Sequence, residues 1–474
     1  MTIVHKFGGT SVGSAARFAA VADILADQHR QTVGTSQAGT VAVVSAMSGT
    51  TNQLLTGAWA AAESRQSDTE RIQAEIAARH QGVVEALLAS STEQMTLAGW
   101  VEARLYELGR LYESLAVLGE LTPRGRDHVA AFGEQLAAHI LAAALRERGL
   151  QAQAQSATTL IVTDDHFEAA TPLMGPTRER LTTHLKPLLA AGTIPVVTGF
   201  IAATDAGITT TLGRGGSDYT AAVLGAGLGA DEVWIWSDVN GILTADPNLV
   251  TAATPLRELS YTEATELAYY GADVLHPKTI RPMIEYGIPL RIKNSFAPED
   301  PGTLIVESPS TDRLRLPAII STRNLSLIAI GSHDDAWRLP AVAKALQALS
   351  DAGIDVLMFS QSFSEHNLNL IVRRREQARC LKTLGTAFAD QLSQHRYTLA
   401  TKQQVATVSV VGVPGSNGKG AVSHAFAALG DQGTRIVAVA QAATESSASF
   451  CIPEDDVAET VRFLHRELRL ERPL

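Results

Sequence analysis

Three clusters of glycines, hydroxyls and charges stand out in a chain of 474 residues, and each could contact part of a ligand. The first is Lys6-Phe-Gly-Gly-Thr-Ser11, which follows a short apolar segment. Gly8 and Gly9 let a ligand approach the backbone, exposed N–H groups at a helix start attract anions, and Lys6 adds a full positive charge. Alone, a Gly-Gly turn after a strand is more often structural. The second cluster runs from Thr209 to Thr220 and packs hydroxyls and glycines around Arg214 and Asp218. Ser217 and Asp218 suit the first turn of a helix, but a plain N-cap leaves Arg214 and its neighbouring glycines unexplained. The third, Trp236 to Pro247, reads as a strand and a polar turn that could hold an adenosine by backbone edges and Asp238. Many Asp-x-Asn-Gly turns are only turns.

These clusters need rigid elements behind them. Thr2 to Phe7 reads as a strand, Ala15 to Leu25 has helical apolar spacing, and Thr40 to Ser45 is a second apolar strand. Strand, glycine turn, helix, strand is the start of an α/β domain with a parallel sheet, whose strand C-terminal ends bind ligands. Asn52 to Gly149 is almost wholly helical and Ala-rich. Leu160–Thr163, Ile194–Thr198 and Glu232–Trp236 restore strands, Ser217–Leu228 is a helix, and Pro289–Lys293 reads as the last strand of this domain.

The bulk composition narrows the function. A net charge of −10 argues against nucleic acid as a partner, which needs clustered positive charge. Two cysteines, Cys380 and Cys451, are too few for a disulfide framework and read as buried packing residues. No secretory pattern opens the chain, and no stretch approaches the roughly 20 apolar residues of a membrane span. A cytoplasmic location is expected.

Beyond Ser308–Pro317, which reads as a linker, an internal repeat appears. Ala345 to Gly353 recurs as Ala425 to Gly433, Gln361 as Gln441, and Glu365 as Glu445. Each copy reads strand, helix, strand, strand, helix, and cannot bury its sheet face alone, so the copies should pack on each other or on another chain.

Lys6 to Val12, Phe132-Gly-Glu-Gln135, Thr209 to Thr220, Trp236 to Pro247 and Gly271 to Pro277 resemble, in order and spacing, the aspartate kinase family. The match spans essentially the whole chain, and the repeat resembles that family's paired ACT domains. Gly213 to Asp218 is the most specific stretch; the Lys-Phe-Gly-Gly opening is shared more loosely among amino-acid kinases. The resemblance implies a three-layer α/β amino-acid-kinase domain with a mostly parallel central sheet over 1–307. Within it, a lid-like helical segment covers about 53–150. A linker at 308–317 and tandem ACT units of the βαββαβ, ferredoxin-like type over 318–474 would follow.

It also implies roles. Lys6, with the Gly8 and Gly9 amides, would neutralise the transferred phosphoryl group. Ser45 and Thr51 would line the substrate pocket, Glu134 would bind the substrate ammonium, and Arg214 its α-carboxylate. Asp218 would order the positive groups. Ser237 and Asp238 would contact the nucleotide, with Lys278 near its phosphates. By spacing alone, Glu134 reads as a solvated charge on an Ala-rich helix, and His276 as a cap or packing group. ATP with Mg²⁺ held mainly by phosphates and water, L-aspartate, a threonine or lysine effector near Gln361 and Gln441, and a homodimer or higher homo-oligomer complete the expectation. Leu243 and Asn248 depart from the Tyr and Arg common in the family. The alternatives are a glutamate or acetylglutamate kinase, and an amino-acid sensor with an inactive kinase domain. The sensor predicts loss of Lys6, Arg214 or Asp218, and all three are present. Two motifs carry no chemistry: Gly225 to Ala230 sits in the wrong context for a dinucleotide turn, and Gly415 to Gly420 departs from a P-loop.

Overall fold

The computed structural model describes residues 1–32, 39–270, 275–310, 316–332, 339–362, 366–412, 420–441 and 447–471. Gly271 to Val274, Glu365, Glu445 and Gly415 to Lys419, singled out above, lie outside these residues, as do residues 311–315 of the expected linker. The chain forms two compact units. One comprises Met1–Ile242, Pro255–Thr265 and Asp273–Ser310; the other comprises Leu243–Thr254, Glu266–Ala272 and Thr311–Leu474.

In chain order the elements begin with β1 (Thr2–Phe7), α1 (Ala15–Thr32) and β2 (Gly39–Val44). Four helices follow: α2 (Thr50–Ala62), α3 (Gln66–Leu87), α4 (Ser91–Leu118) and α5 (Pro123–Glu147). Next come β3 (Ala152–Gln155), β4 (Val162–Thr163), α6 (Met174–His184), α7 (Lys186–Ala190), β5 (Ile194–Thr198), β6 (Ile201–Thr204), β7 (Thr209–Thr211), α8 (Gly216–Leu228) and β8 (Glu232–Ser237). Then follow β9 (Glu258–Ser260), α9 (Tyr261–Tyr269), α10 (Pro277–Tyr286), β10 (Leu290–Asn294) and β11 (Thr303–Val306).

The main sheet has the order β3-β5-β2-β1-β8-β10-β11-β9, and every neighbouring pair is parallel except β10 with β11. The fully buried run Thr40–Val44 is the pattern of a strand covered on both faces. Strand β1 sits centrally, with Lys6 level with Val43 of β2 and Ile235 of β8. The C-terminal ends of β1, β2, β5, β8 and β10 therefore open on one edge, where Ser45, Gly199, Ser237 and Asn294 emerge. A small sheet, β4-β6-β7, carries the strand that feeds Arg214.

One strand goes unmarked in the sequence and two local expectations change. Ala152–Gln155 forms a strand without the β-branched residues that would announce it, carried by its pairing with β5. Of Leu160–Thr163 only Val162 and Thr163 are strand. Pro289–Lys293 is not the last strand, because Thr303–Val306 folds back antiparallel on β10 after a polar turn.

Helix α5 is the one described helix long and apolar enough to cross a membrane, and most of its apolar stretch is buried inside the fold. Its start is well marked: Pro123 occupies the first turn and the Thr122 side chain accepts the Gly125 N–H at 3.1 Å. Alanines let it lie close against neighbours, so Ile140, Leu141 and Leu145 are buried with Phe7, Phe18 and Trp236 in one core.

In the second unit the repeat reads β12 (Ala318–Ser332), α11 (Leu339–Asp351), β13 (Val356–Ser362), β14 (Asn367–Arg373), α12 (Gln377–Ala387) and α13 (Ala389–Ser393). The second copy is β15 (Tyr397–Val411), α14 (Ala421–Gln432), β16 (Ala438–Gln441), β17 (Ser447–Pro453) and α15 (Val457–Glu467). All strands share one antiparallel sheet, β13-β14-β12-β15-β17-β16. The copies are interlaced. Ile319, at the start of β12, packs with Val408, Phe450 and Leu464 of the second copy, while Tyr397 packs with Ile328, Leu370 and Phe388 of the first. Cys380 and Cys451 are buried and free, as packing residues should be.

The β10–β11 turn depends on Gly302, which has φ +70°, and a Cβ there would fall 1.9 Å from the Ile292 carbonyl oxygen. Gly302→Ala is expected to cost about 3 kcal/mol or more in denaturant unfolding followed by tryptophan fluorescence.

Candidate active site

A cavity of about 360 Å³ in the first unit is lined by Lys6, Ser45, Thr51, Glu134, Arg214 and Asp218, with Ala46, Met47, Phe200 and Gly213–Ser217 between them. Lys6 enters from the end of β1, and Asp218 from the first turn of α8. Lys6 Nζ stands 2.6 Å from Asp218 Oδ1, with both side chains largely enclosed. Helix α8 has no side-chain cap at its N-terminus, and Gly216, Ser217 and Asp218 of its first turn line the cavity, so the positive end of the helix dipole lies beside it. Gly215, before that turn, has φ +72° and lies against the His276 side chain.

Glu134 arrives from α5. It is 3% exposed, and its Oε1 accepts the Ala46 N–H at 3.0 Å. Its Oε2 has no hydrogen-bond partner. Burial pushes its pKa up to about 8, against the pull of backbone hydrogen bonds. Glu134 is therefore not a solvated charge, as spacing alone suggested. Its helix reaches the loop after β2 because Gly133 has no side chain: a Cβ there would lie 2.6 Å from the Ala46 methyl.

The neighbouring strand ends are laced together. Ser11 Oγ lies 2.8 Å from Ser295 Oγ, and Arg17 donates to the Ser295 carbonyl and hydroxyl at 3.0 Å each. Ser295 N–H donates to the Ser237 carbonyl at 2.8 Å, and Asn294 donates to the Asn240 side chain at 2.6 Å. Ser237 donates to the exposed Asp238 at 3.2 Å. A Cβ at Gly8 would stand 3.5 Å from the Lys6 ammonium, so the Gly8–Gly9 turn lies directly beside that charge. Among the described residues no group of three or more His, Cys, Asp or Glu could hold a metal ion.

The amino acid kinase family profile matches residues 1–294, and the ACT domain profile matches 341–388 and 408–468. Over 475 aligned residues the chain is 31% identical to the chloroplastic aspartokinase 1 of Arabidopsis thaliana, covering 98% of this chain and 80% of that one. The chain belongs to the aspartokinase family. It is also 30% identical to the bifunctional aspartokinase/homoserine dehydrogenase of Haemophilus influenzae, of which it covers 56%. The structure of E. coli aspartokinase III with aspartate and ADP, in the R state, matches with a TM-score of 0.80 at 28% identity, covering 99% of this chain and 100% of that one. The T-state structure of the same enzyme with lysine and aspartate matches with a TM-score of 0.77 at 28% identity, covering 98% and 99%.

Within this aspartokinase fold, the cavity unites six of the residues selected from sequence: Lys6, Ser45, Thr51, Glu134, Arg214 and Asp218. Gly8 and Gly9 lie beside it after β1, while Ser237 and Asp238 sit at the end of β8. Lys278 is exposed in the first turn of α10, where His276 caps the helix by accepting the Lys278 N–H at 3.2 Å. In the second unit, Gln361 is half-buried with an unpartnered amide nitrogen, whereas Gln441 is exposed. Leu243 and Asn248 fall in the segment Leu243–Thr254, which belongs to the second unit. Asn248 donates to the Asp246 carboxylate from its backbone and its amide.

Sequence reasoning missed Phe200, Arg17, Ser295 and Asp127. Phe200 has φ +65°, an uncommon conformation for a bulky residue, held by its N–H to Thr220 Oγ1 at 3.0 Å. Only Asn294-Ser295, a polar pair directly after a strand, carried a readable signal.

Glu134 gives a stability prediction. Its folded pKa of about 8 lies above the ordinary 4.5, so its contribution to stability is fully present below 4.5 and is lost as pH rises through 8. Without ligands, Glu134→Gln should melt a few degrees above the unmodified protein at pH 8.5, with the gap closing by pH 5. Thermal melts at the two pH values check this, and an equal gap at both would contradict it.

Proposed function

We propose that this kinase transfers the γ-phosphoryl group of ATP to the side-chain carboxylate of L-aspartate, giving 4-phospho-L-aspartate and ADP. The carrying observation is the buried Glu134, which has one unpartnered oxygen and lines the same cavity as Arg214 and the Lys6–Asp218 pair. A site with one buried carboxyl, which an adjacent ammonium would ionise, and a separate guanidinium suits an α-amino acid, whose ammonium and carboxylate would engage the two. The complexes of E. coli aspartokinase III with aspartate and ADP support this reading.

The chemistry needs no general base, because a carboxyl of pKa about 3.9 is already ionised at neutral pH. A substrate carboxylate oxygen attacks the γ-phosphorus, and the bond from that phosphorus to the bridging oxygen of ADP breaks. The task is to bring two anions together and to stabilise negative charge as it shifts. Lys6 and the open first turn of α8 supply positive potential, Asp218 fixes Lys6, and Ser45 and Thr51 line the acceptor pocket. Ser237, Asp238 and Lys278 would contact the nucleotide, near the Gly8–Gly9 turn. Mg²⁺ bound to the nucleotide would neutralise phosphate charge, held mainly by phosphates and water.

The reaction fits the first step toward lysine, threonine and methionine, in the cytoplasm, with residues 1–307 as the catalytic domain and 318–474 as the regulatory pair. Effector control rests on the repeat. Gln361, with its unpartnered amide, is a suitable contact for an amino-acid effector, and Gln441 is its counterpart. The lysine complex of E. coli aspartokinase III supports an amino-acid effector here, threonine or lysine. The edge strand β13 exposes Phe359, consistent with a homodimer or larger assembly through these units.

Trapping the acyl phosphate with hydroxylamine tests the reaction: aspartate, and not glutamate or N-acetylglutamate, should give hydroxamate with ATP. Arg214→Lys should raise the aspartate KM by about tenfold or more and leave the ATP KM within twofold; equal loss of both would remove Arg214 from the substrate site. In the same assay, threonine or lysine should inhibit at millimolar levels, and indifference to both would end the sensing role.

A further inference from the structure

We infer that Asp127 is a positioning residue that sets the distance between Glu134 and Arg214, the two groups that grip the ends of the amino-acid substrate. The inference rests on the functional reading above and assigns a role to a buried carboxylate that the chemistry does not touch.

Asp127 lies on α5 seven residues before Glu134, so two helical turns separate them on one face. It is 1% exposed, an unusual position for a carboxylate. Three donors converge on it. Oδ2 accepts the Glu168 N–H at 2.9 Å and the Thr211 N–H at 3.0 Å, and Oδ1 accepts the Thr211 hydroxyl at 2.8 Å. Burial raises its pKa, and these hydrogen bonds oppose the rise.

Thr211 ends β7, three residues before Arg214, so the carboxylate ties the helix bearing Glu134 to the strand that delivers the arginine. The second arm secures the other side of the loop. Glu168 has φ +68°, a conformation that needs support, and Arg126 beside Asp127 pairs with the Glu168 carboxylate at 2.9 Å. Ala170 N–H donates to the Thr211 carbonyl at 2.9 Å. At Gly213 a Cβ would stand 3.0 Å from the Glu168 carbonyl, so the 168 loop backs the glycine turn that leads to Arg214. One carboxylate thus sets helix, strand and supporting loop together. No described contact of this clamp reaches Ser237, Asp238 or Lys278. Its loss should therefore loosen the amino-acid grip and spare the nucleotide.

Steady-state kinetics on the full chain separate this from a general folding role. Asp127→Ala should raise the aspartate KM at least tenfold while the ATP KM stays within twofold. Asp127→Asn should recover to within about threefold of the unmodified enzyme, since its amide oxygen can accept both N–H groups while the Thr211 hydroxyl turns to accept from its nitrogen. Thr211→Val, which removes one donor, should fall between. An unchanged aspartate KM in Asp127→Ala, or equal losses for both substrates, overturns the inference. Should the alanine variant not fold, Thr211→Val decides, and an unchanged aspartate KM there also overturns it. No aspartate-dependent turnover by the unmodified enzyme would instead overturn the functional reading.

Discussion

The first unit is arranged around a carboxylate kept out of water. Glu134 lines the cavity with one oxygen satisfied by the Ala46 N–H and the other without a partner. A buried, half-satisfied carboxyl costs stability, as its raised pKa records. The fold sustains that cost through its surroundings. Helix α5 is rich in alanine, so it lies close to the sheet, and Gly133 lets it touch the loop after β2. An α-ammonium group seated there would supply the missing partner, and the free energy withheld from folding would be returned on binding.

The second constraint is the parallel sheet. Parallel strands expose their C-terminal ends along one edge, so β1, β2 and β8 bring Lys6, Ser45 and Ser237 together although they are far apart in sequence. An enclosed lysine needs compensation, and Asp218 provides it from the first turn of α8 at 2.6 Å. The same turn has no side-chain cap on its backbone N–H groups. A carboxylate-bound ammonium beside an uncapped helix start attracts anions without a naked charge in the fold.

The second unit solves a different problem. A small strand-helix-strand-strand-helix unit has too little sheet to bury its apolar face. Here the long strands β12 and β15 run antiparallel, and each carries residues into the other copy's core. Neither copy is complete alone, so the pair folds as one body. Gln361 and Gln441, equivalent in sequence, thereby come to differ in burial.

Much of this was legible in the chain. Apolar runs, glycine turns and the repeat announce the α/β unit and the paired modules, because local periodicity reflects which face is buried. Arg214 and Asp218 stand out in the sequence because a plain N-cap does not account for glycines and charges clustered there, whereas the Lys6 turn is singled out only by the family resemblance. Other features belong to tertiary structure alone. Asp127, Arg17 and Ser295 act through partners far away in sequence, so no local pattern marks them. Ala152–Gln155 is a strand only because β5 offers it a partner. Glu134 reads as a surface charge until the helix around it is seen to be buried. Sequence determines which groups are present and the local backbone each prefers; whether a carboxylate meets water, a clamp or a substrate is decided by what packs against it.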